Sequence, residues 1–417
     1  MRIGLFGIGG VYNYGCEAIV RGTTAFINIL EQQCHQKQKL HVVYYSMNYE
    51  YDSKRLADLG IEIIPVKTNY SFFKKIRNKL MQLCYYEGCE LFYDYHKIID
   101  DVDMLFFIGG DIYTIPAVKR ENKKYRYANS LAEFGKKAAA KGIPIVLYGA
   151  SVGPFGHYGK AVKYYRDILK TYRSIICRES IAIDYLQSLS LDNVIFSPDP
   201  AFLVNSIKTE ESKKSCEVDF RQKAIGVNLS PLSLNELYVN GNKTQIMRMA
   251  ALLKRIHSES GRDVLLLPHV ISKDPHDNDA DFMKKIVEMF DKEEKSHFSI
   301  ADYSGGFLGI KHQMKNCEIV VSARMHCAIN AIHENIPTIF LSYSQKSIGM
   351  CRYVYGDDRW VIDIKKADKE LIPAMKDMLV QQEEISRRLK VRNIEIYNSI
   401  VDNKAQLVKQ VLGDRLC

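Results

Sequence analysis

Short apolar runs rich in Val, Ile, Tyr and Phe alternate along this chain with longer stretches whose apolar positions recur every three or four residues. The first pattern predicts β-strands and the second amphipathic helices. RIGLFGI opens the series as a strand, and its loop GGVYNYG leads into a helix over CEAIVRGTTAFINILEQQ. HVVYYSM, IEIIPV, DMLFFIGG, PIVLYGASVG, SIICRES and NVIFSPD follow as strands, with helices over NSLAEFGKKAAAKG and near 160–171. Strands apolar on both sides, separated by helices, point to a parallel sheet covered on its faces.

The alternation stops at SIKTEESKKSCEVDFRQK, which is polar, charged and almost free of apolar periodicity. It resumes with AIGVNLSP, a helix near 243–260, DVLLLPHV, a helix near 278–291, FLGIKHQMKN, EIVVSAR, MHCAINAIHEN, PTIFLSYS and WVIDI, and ends in a charged helical stretch. The expected organisation is an N-terminal Rossmann-like domain over 1–205, a linker over 206–222, a second Rossmann-like domain over 223–385 and a helical segment over 386–417. The expected fold class is therefore α/β, with two Rossmann-like domains facing across a cleft and a site at the strand C-termini.

Composition agrees with two cores: 417 residues exceed what one usually holds. A hydrophobic share of 47% and a charged share of 26% are those of a soluble globular protein. The ten cysteines are scattered without a CxxC pair or a metal-like Cys/His cluster, so reduced thiols in a cytoplasmic protein are expected. MRIGLFGIGG does not read as an export signal, and the longest charge-free stretch, from Gly142, carries five glycines and two prolines. The net charge of +9 favours an anionic partner. No nucleic-acid motif accompanies it, so no nucleic-acid partner is expected. Two clusters stand out, KTNYSFFKKIRNKLMQLCYY (67–86) and KRENKKYRY (119–127). The first reads either as a basic amphipathic helix against an anionic membrane surface or as a surface helix with a solvated charged face.

The first loop fails as a dinucleotide site: counted from Gly7, GxGxxG needs glycine where Tyr12 stands, and no acidic residue ends HVVYYSMN. A Walker loop is also absent. Gly7, Gly9 and Gly10 are expected to allow a tight turn and a close approach by substrate or by the other domain. Polar groups gather instead at successive strand ends: Asp111 in IGGDIYT, Arg178 in CRES, Asp199 in SPDPA, His269 in LPH, then SARMH and SYSQK. Arg178, Arg324 and Lys346 come from distant segments, and cations at helix starts suit a ligand bearing phosphate and carboxylate. His326, two residues past Arg324, is the group there that titrates near neutrality.

The order YNYGCEAI, FFIGGDIY, GASVGP, CRES, PDPAF, GVNLSP, LPH, SARMHCAINAI, IPTIFLSYSQKSIG resembles the polysaccharide pyruvyl transferase family from residue 3 to roughly 350. The RxH and the following LSYxxK are its most specific parts. The resemblance implies a GT-B-like enzyme that moves pyruvate from phosphoenolpyruvate to a sugar of a cell-surface glycan, usually as a cyclic ketal. It implies donor binding by Arg178, Arg324, His326 and Lys346, with His326 moving a proton and Glu17 or Asp111 serving as base. Asn13, Tyr14, Glu17, Asp111 and His269 are the expected acceptor contacts. Two departures, Cys16 where an acidic residue is common and Asp111 where a third glycine is common, bear on the acceptor side. No metal and no cofactor beyond the donor substrate are expected. Galactose with free 4- and 6-hydroxyls is an acceptor the resemblance implies, on a soluble glycan or on a polyprenyl diphosphate carrier at the inner face of a membrane. A nucleotide-sugar glycosyltransferase and a non-catalytic glycan- or phospholigand-binding protein are the alternative readings.

Overall fold

The computed structural model describes residues 1–32, 39–84, 88–116, 119–120, 122, 126–205, 223–232, 242–342 and 345–413. The expected linker over 206–222 lies outside them, as do parts of both basic clusters.

The apolar runs form two parallel sheets. The first contains β1 (Arg2–Phe6), β2 (His41–Ser46), β3 (Glu62–Pro65), β4 (Met104–Ile108), β5 (Ile145–Ala150), β6 (Ser174–Cys177) and β7 (Val194–Phe196). Its spatial order is β3-β2-β1-β4-β5-β6-β7, every pairing parallel. The second contains β8 (Ala224–Asn228), β9 (Val264–Leu266), β10 (Phe298–Ile300), β11 (Cys317–Ser322), β12 (Thr338–Ser342) and β13 (Val361–Asp363). Its order, β10-β9-β8-β11-β12-β13, repeats the same winding. In each sheet the chain builds outward from an inner strand, then returns to build on the other side. The connections leave β1 and β4, or β8 and β11, toward opposite faces, which opens a crevice beyond their carboxyl ends.

Burial explains the strand pattern. Every residue of β4, β5 and β8 is buried, as expected where helices cover both faces. Beside the first sheet, Phe6, Phe107 and Phe134 form an aromatic cluster, with Phe6 and Phe134 edge to face at 5.2 Å between centroids. The helix Ser130–Ala140 starts where Asn129 Oδ1 accepts from the Leu131 amide at 2.8 Å. β10 is not among the expected strands, because Ser299 divides its two apolar residues and no apolar run marks it.

Contacts divide the chain into two compact units: Met1–Val11, Ile19–Leu203 and Asn398–Cys417 form the first, Tyr12–Ala18 and Val204–Tyr397 the second. This division departs from the expected boundaries, and the helical segment expected over 386–417 is itself divided, with 386–397 in the second unit. The C-terminal residues 398–417 belong to the first unit, where Ser174 Oγ donates to the Gln410 carbonyl at 2.8 Å. Residues 12–18, expected in the N-terminal domain, belong to the second. Their backbone joins the loop after β9: Asn13 bridges Val270, the Tyr14 amide donates to the His269 carbonyl, and the Ile271 amide donates to the Tyr12 carbonyl, both at 2.9 Å. Gly7 turns with φ +124°, and a Cβ there would lie 2.5 Å from the Ile108 carbonyl oxygen. The close approach is made by the end of the neighbouring strand β4.

Candidate functional site

At the switch point of the second sheet, β8 ends in Asn228 and β11 in Ser322. Asn228 Oδ1 accepts from the Arg324 amide at 2.9 Å, while its Nδ2 donates to the Leu267 carbonyl at 2.8 Å. Ser322 Oγ donates to the Arg324 carbonyl at 2.8 Å. Arg324 is thereby fixed as the N-cap residue of the helix Met325–His333. Its Nη2 donates to Asp277 and to Asp279, each at 2.7 Å, and its Nε lies 3.3 Å from both oxygens of Asp279. Nη1 takes part in none of these bonds. Burial works against the Arg324 charge, but Asp279 and Asp277 outweigh it and raise the guanidinium above its ordinary value. Burial pushes the Asp279 carboxyl upward. Arg324 and the amides of His269 and Val270, both donating at 3.1 Å, favour its ionised form.

The segment Tyr12–Ala18 closes on this group. A Cβ on Gly15 would come within 2.6 Å of His326 Nδ1, so the imidazole packs directly on the loop backbone. Asn13 Oδ1 accepts from the Gly15 amide at 3.0 Å and fixes the turn. Tyr14 is buried, donates to the Tyr303 carbonyl and sets its ring edge to face with His269 at 5.7 Å. Phe307 meets the other ring contact of His269 at 5.8 Å. His269 is 1% exposed, and neither ring nitrogen has a hydrogen-bond partner among the described residues. Burial, with the charges of His326 and Arg324 adding to it, holds His269 well below its ordinary pKa, so it is a neutral imidazole. Glu17 is fully buried and accepts from the Phe307 amide at 3.0 Å, at the start of the helix Gly306–Met314. A carboxylate suits that position because the first amides of a helix lack partners within it.

The structure therefore brings Asn13, Tyr14, Glu17, His269, Arg324 and His326 into one unit. Lys346 stands in the first turn of the helix Gln345–Tyr355, after β12; its side chain lies outside the described residues. Arg178 and Asp111 belong to the first unit. There Arg178 is buried, donating to Asp199 at 2.7 Å and to Ser151 Oγ at 3.0 Å, with Glu179 at 3.5 Å. Burial lowers its guanidinium, and Asp199, Glu179 and Asp111 more than offset this. Asp111 is exposed in the loop after β4.

Sequence reasoning missed Asp277, Asp279 and Asn228 as partners of Arg324. Nothing in the acidic run DPHDNDAD marks one of its carboxylates as an inward-facing partner, yet Asp279 is completely buried. The signal available was the asparagine closing β8, a side chain able to donate and accept at a strand end. Among the described residues, His257, Asp263 and His297 bring ligand-type atoms within 4.8 Å of one another. They lie near the amino ends of β9 and β10, the opposite edge of the sheet from Arg324 and His326.

Two parallel Rossmann-like sheets wound in the same order define a GT-B-like α/β protein. A UDP-GlcNAc 2-epimerase from Neisseria meningitidis, solved with UDP-GlcNAc, matches with a TM-score of 0.61 at 11% identity, covering 99% of this chain and 100% of that one. Anabaena Alr3699/HepE, solved with UDP and glucose, matches with a TM-score of 0.58 at 10% identity, covering 99% and 98%. At such identities the likeness speaks for the fold alone.

The chain belongs to the polysaccharide pyruvyl transferase family, whose family model matches residues 13–345. It is also 23% identical over 282 residues to the amylovoran biosynthesis protein AmsJ of Erwinia amylovora, covering 64% of this chain. The matched part spans 66% of that relative's length.

Proposed function

We propose that this protein transfers pyruvate from phosphoenolpyruvate to two hydroxyls of one hexose in a cell-surface polysaccharide or its lipid-linked precursor. The observation behind this reading is the Arg324–His326 pair at the switch point of the second sheet, set at a helix start beside a neutral His269 whose ring nitrogens have no partner among the described residues. The helix start offers backbone amides and a partial positive charge to an anion. Arg324 is assigned to the donor through Nη1, which takes part in none of its bonds to Asp277 and Asp279, and Lys346 is assigned as a second cation for phosphate and carboxylate.

In this scheme a proton reaches the methylene carbon of phosphoenolpyruvate, and the adjacent carbon gains oxocarbenium character. A sugar hydroxyl attacks it and loses its proton. The second hydroxyl then forms the other C–O bond as the C–O bond to phosphate breaks. One hydroxyl proton replaces the one given to the methylene, and the other leaves with inorganic phosphate. His326 is assigned the proton transfer. Asp111 is assigned to the acceptor hydroxyl, and Glu17, committed to the Phe307 amide, to positioning. Arg178, held by Asp199 and Ser151, is assigned to shaping the loops around Asp111. The scheme needs no metal or further cofactor. A hexose with free 4- and 6-hydroxyls such as galactose fits a cyclic ketal, and a polyprenyl diphosphate carrier would present it at the inner face of a membrane.

The test is phosphate release from phosphoenolpyruvate with a panel of lipid-linked and soluble sugars, products followed by mass. The expected product gains one pyruvate as a ketal, and His326→Ala lowers turnover by about 10²–10⁴-fold while donor binding survives in part. An active His326→Ala protein would remove the histidine from the chemistry. Nucleoside diphosphate release from a nucleotide sugar would replace the scheme with glycosyl transfer, and binding without phosphate release would replace it with a binding protein.

A further inference from the structure

The helix Phe72–Cys84 in the first unit is inverted. At about 100° per residue, Phe72, Ile76, Leu80 and Phe73 fall within one arc, and Lys74, Asn78 and Met81 fall opposite it. A surface helix ordinarily buries the apolar arc. Here Phe72 is 71% exposed, Phe73 82%, Leu80 54% and Ile76 41%. The opposite face is tied to the domain by polar bonds instead. Lys74 Nζ donates to the Leu91 carbonyl at 3.0 Å, Asn78 Oδ1 accepts from the Glu90 amide at 3.0 Å, and Arg77 pairs with Glu90. The approach to the helix is fixed too: Thr68 bridges Tyr93, and Tyr70 stacks on Phe92 at 5.3 Å. Exposed Lys75 and Lys79 line one margin of the apolar arc, and the largely exposed Arg77 lines the other. The helix contains no acidic residue.

We propose that this helix is a docking surface for an anionic lipid bilayer. Phe72, Phe73, Ile76 and Leu80 enter the boundary between headgroups and acyl chains, and Lys75 and Lys79 lie among the anionic headgroups. Charge selects this occupant. A second copy of the chain, docked face to face, would bring the same two lysines, Lys75 and Lys79, against each other with no acidic residue of the helix to neutralise them. The proposal is independent of the donor chemistry, and its test requires no turnover.

The experiment is co-sedimentation of the full chain with phosphatidylcholine vesicles, with and without 30% phosphatidylglycerol, at low and high salt. Binding is expected to the anionic vesicles and to weaken with salt. Lys75→Gln and Lys79→Gln should each weaken it by about five-fold. The double variant Phe72→Ser/Phe73→Ser should weaken it by about ten-fold or more. All these side chains are exposed, so the variants should keep the wild-type circular dichroism and melting curve. Absence of binding to anionic vesicles, or equal binding by the Phe72→Ser/Phe73→Ser variant, would overturn the proposal. So would a concentration-dependent dimer abolished by the same substitutions without vesicle binding, which would assign the face to a second copy.

Discussion

His269 shows how one side chain changes character with its surroundings. In the sequence it is a histidine at a strand end; in the fold it is enclosed between the rings of Tyr14 and Phe307, with both nitrogens unpartnered among the described residues. An unfolded histidine takes up a proton near its ordinary pKa of about 6.5, and the folded one does not. The unfolded state therefore binds more protons below that pH, and stability must fall as pH drops until the depressed folded pKa is reached. Denaturant unfolding between pH 7 and 5 should show an added loss approaching about 1.4 kcal/mol per pH unit, which His269→Phe removes. A slope unchanged by the substitution would contradict the burial of this imidazole. Arg324 shows the converse. Its cationic role was legible from residue type, but its commitment to Asp277 and Asp279 was not, since those carboxylates lie some 45 residues earlier in the chain.

At the scale of elements, the loop Tyr12–Ala18 decides the site's precision. Asn13 holds the turn, Glu17 holds the start of Gly306–Met314, and Gly15 leaves room for the His326 ring. Gly15→Ala places a methyl 2.6 Å from Nδ1, so the imidazole must move. Overpacking of this kind costs about 1–3 kcal/mol. Displacing a proton-transfer group by about an ångström lowers turnover on the order of a hundred-fold. Phosphate-release kinetics with thermal unfolding should show a modest loss of stability beside a large loss of kcat. Wild-type turnover in this variant would mean that the ring is not held where the reaction needs it. The motif YNYGCEA was legible as a loop entering a helix, and its glycine as permissive. That the glycine serves a histidine more than three hundred residues away depends on which unit the loop joins.

At the scale of the molecule, the two sheets repeat one strand order, and the chain's last residues return to the first unit. Leu407, Val408, Val411 and Leu412 are buried there, on a segment expected to be only a terminal helical extension. Deleting residues 398–417 should cost at least about 5 kcal/mol, since each buried aliphatic side chain contributes about 1.5–3 kcal/mol. Limited proteolysis of the truncated chain should cut first within the first unit. Equal protease resistance would show that the segment adds little. Among the described residues no helix is long and apolar enough to cross a membrane.

The sequence by itself determined the parallel α/β character and the positions of Arg324, His326 and His269 just beyond strand ends. Those follow from local periodicity: a strand buried on both faces must be apolar, and polar groups can then gather only where it ends. Only the tertiary structure decided which carboxylates hold Arg324, that Arg178 is buried against Asp199, and that residues 12–18 join the second unit. Only it decided that Phe72–Cys84 turns its apolar arc outward. A helical pattern shows that an apolar face exists; which way it points is fixed by partners distant in the chain, here Glu90 and Leu91 holding the opposite face.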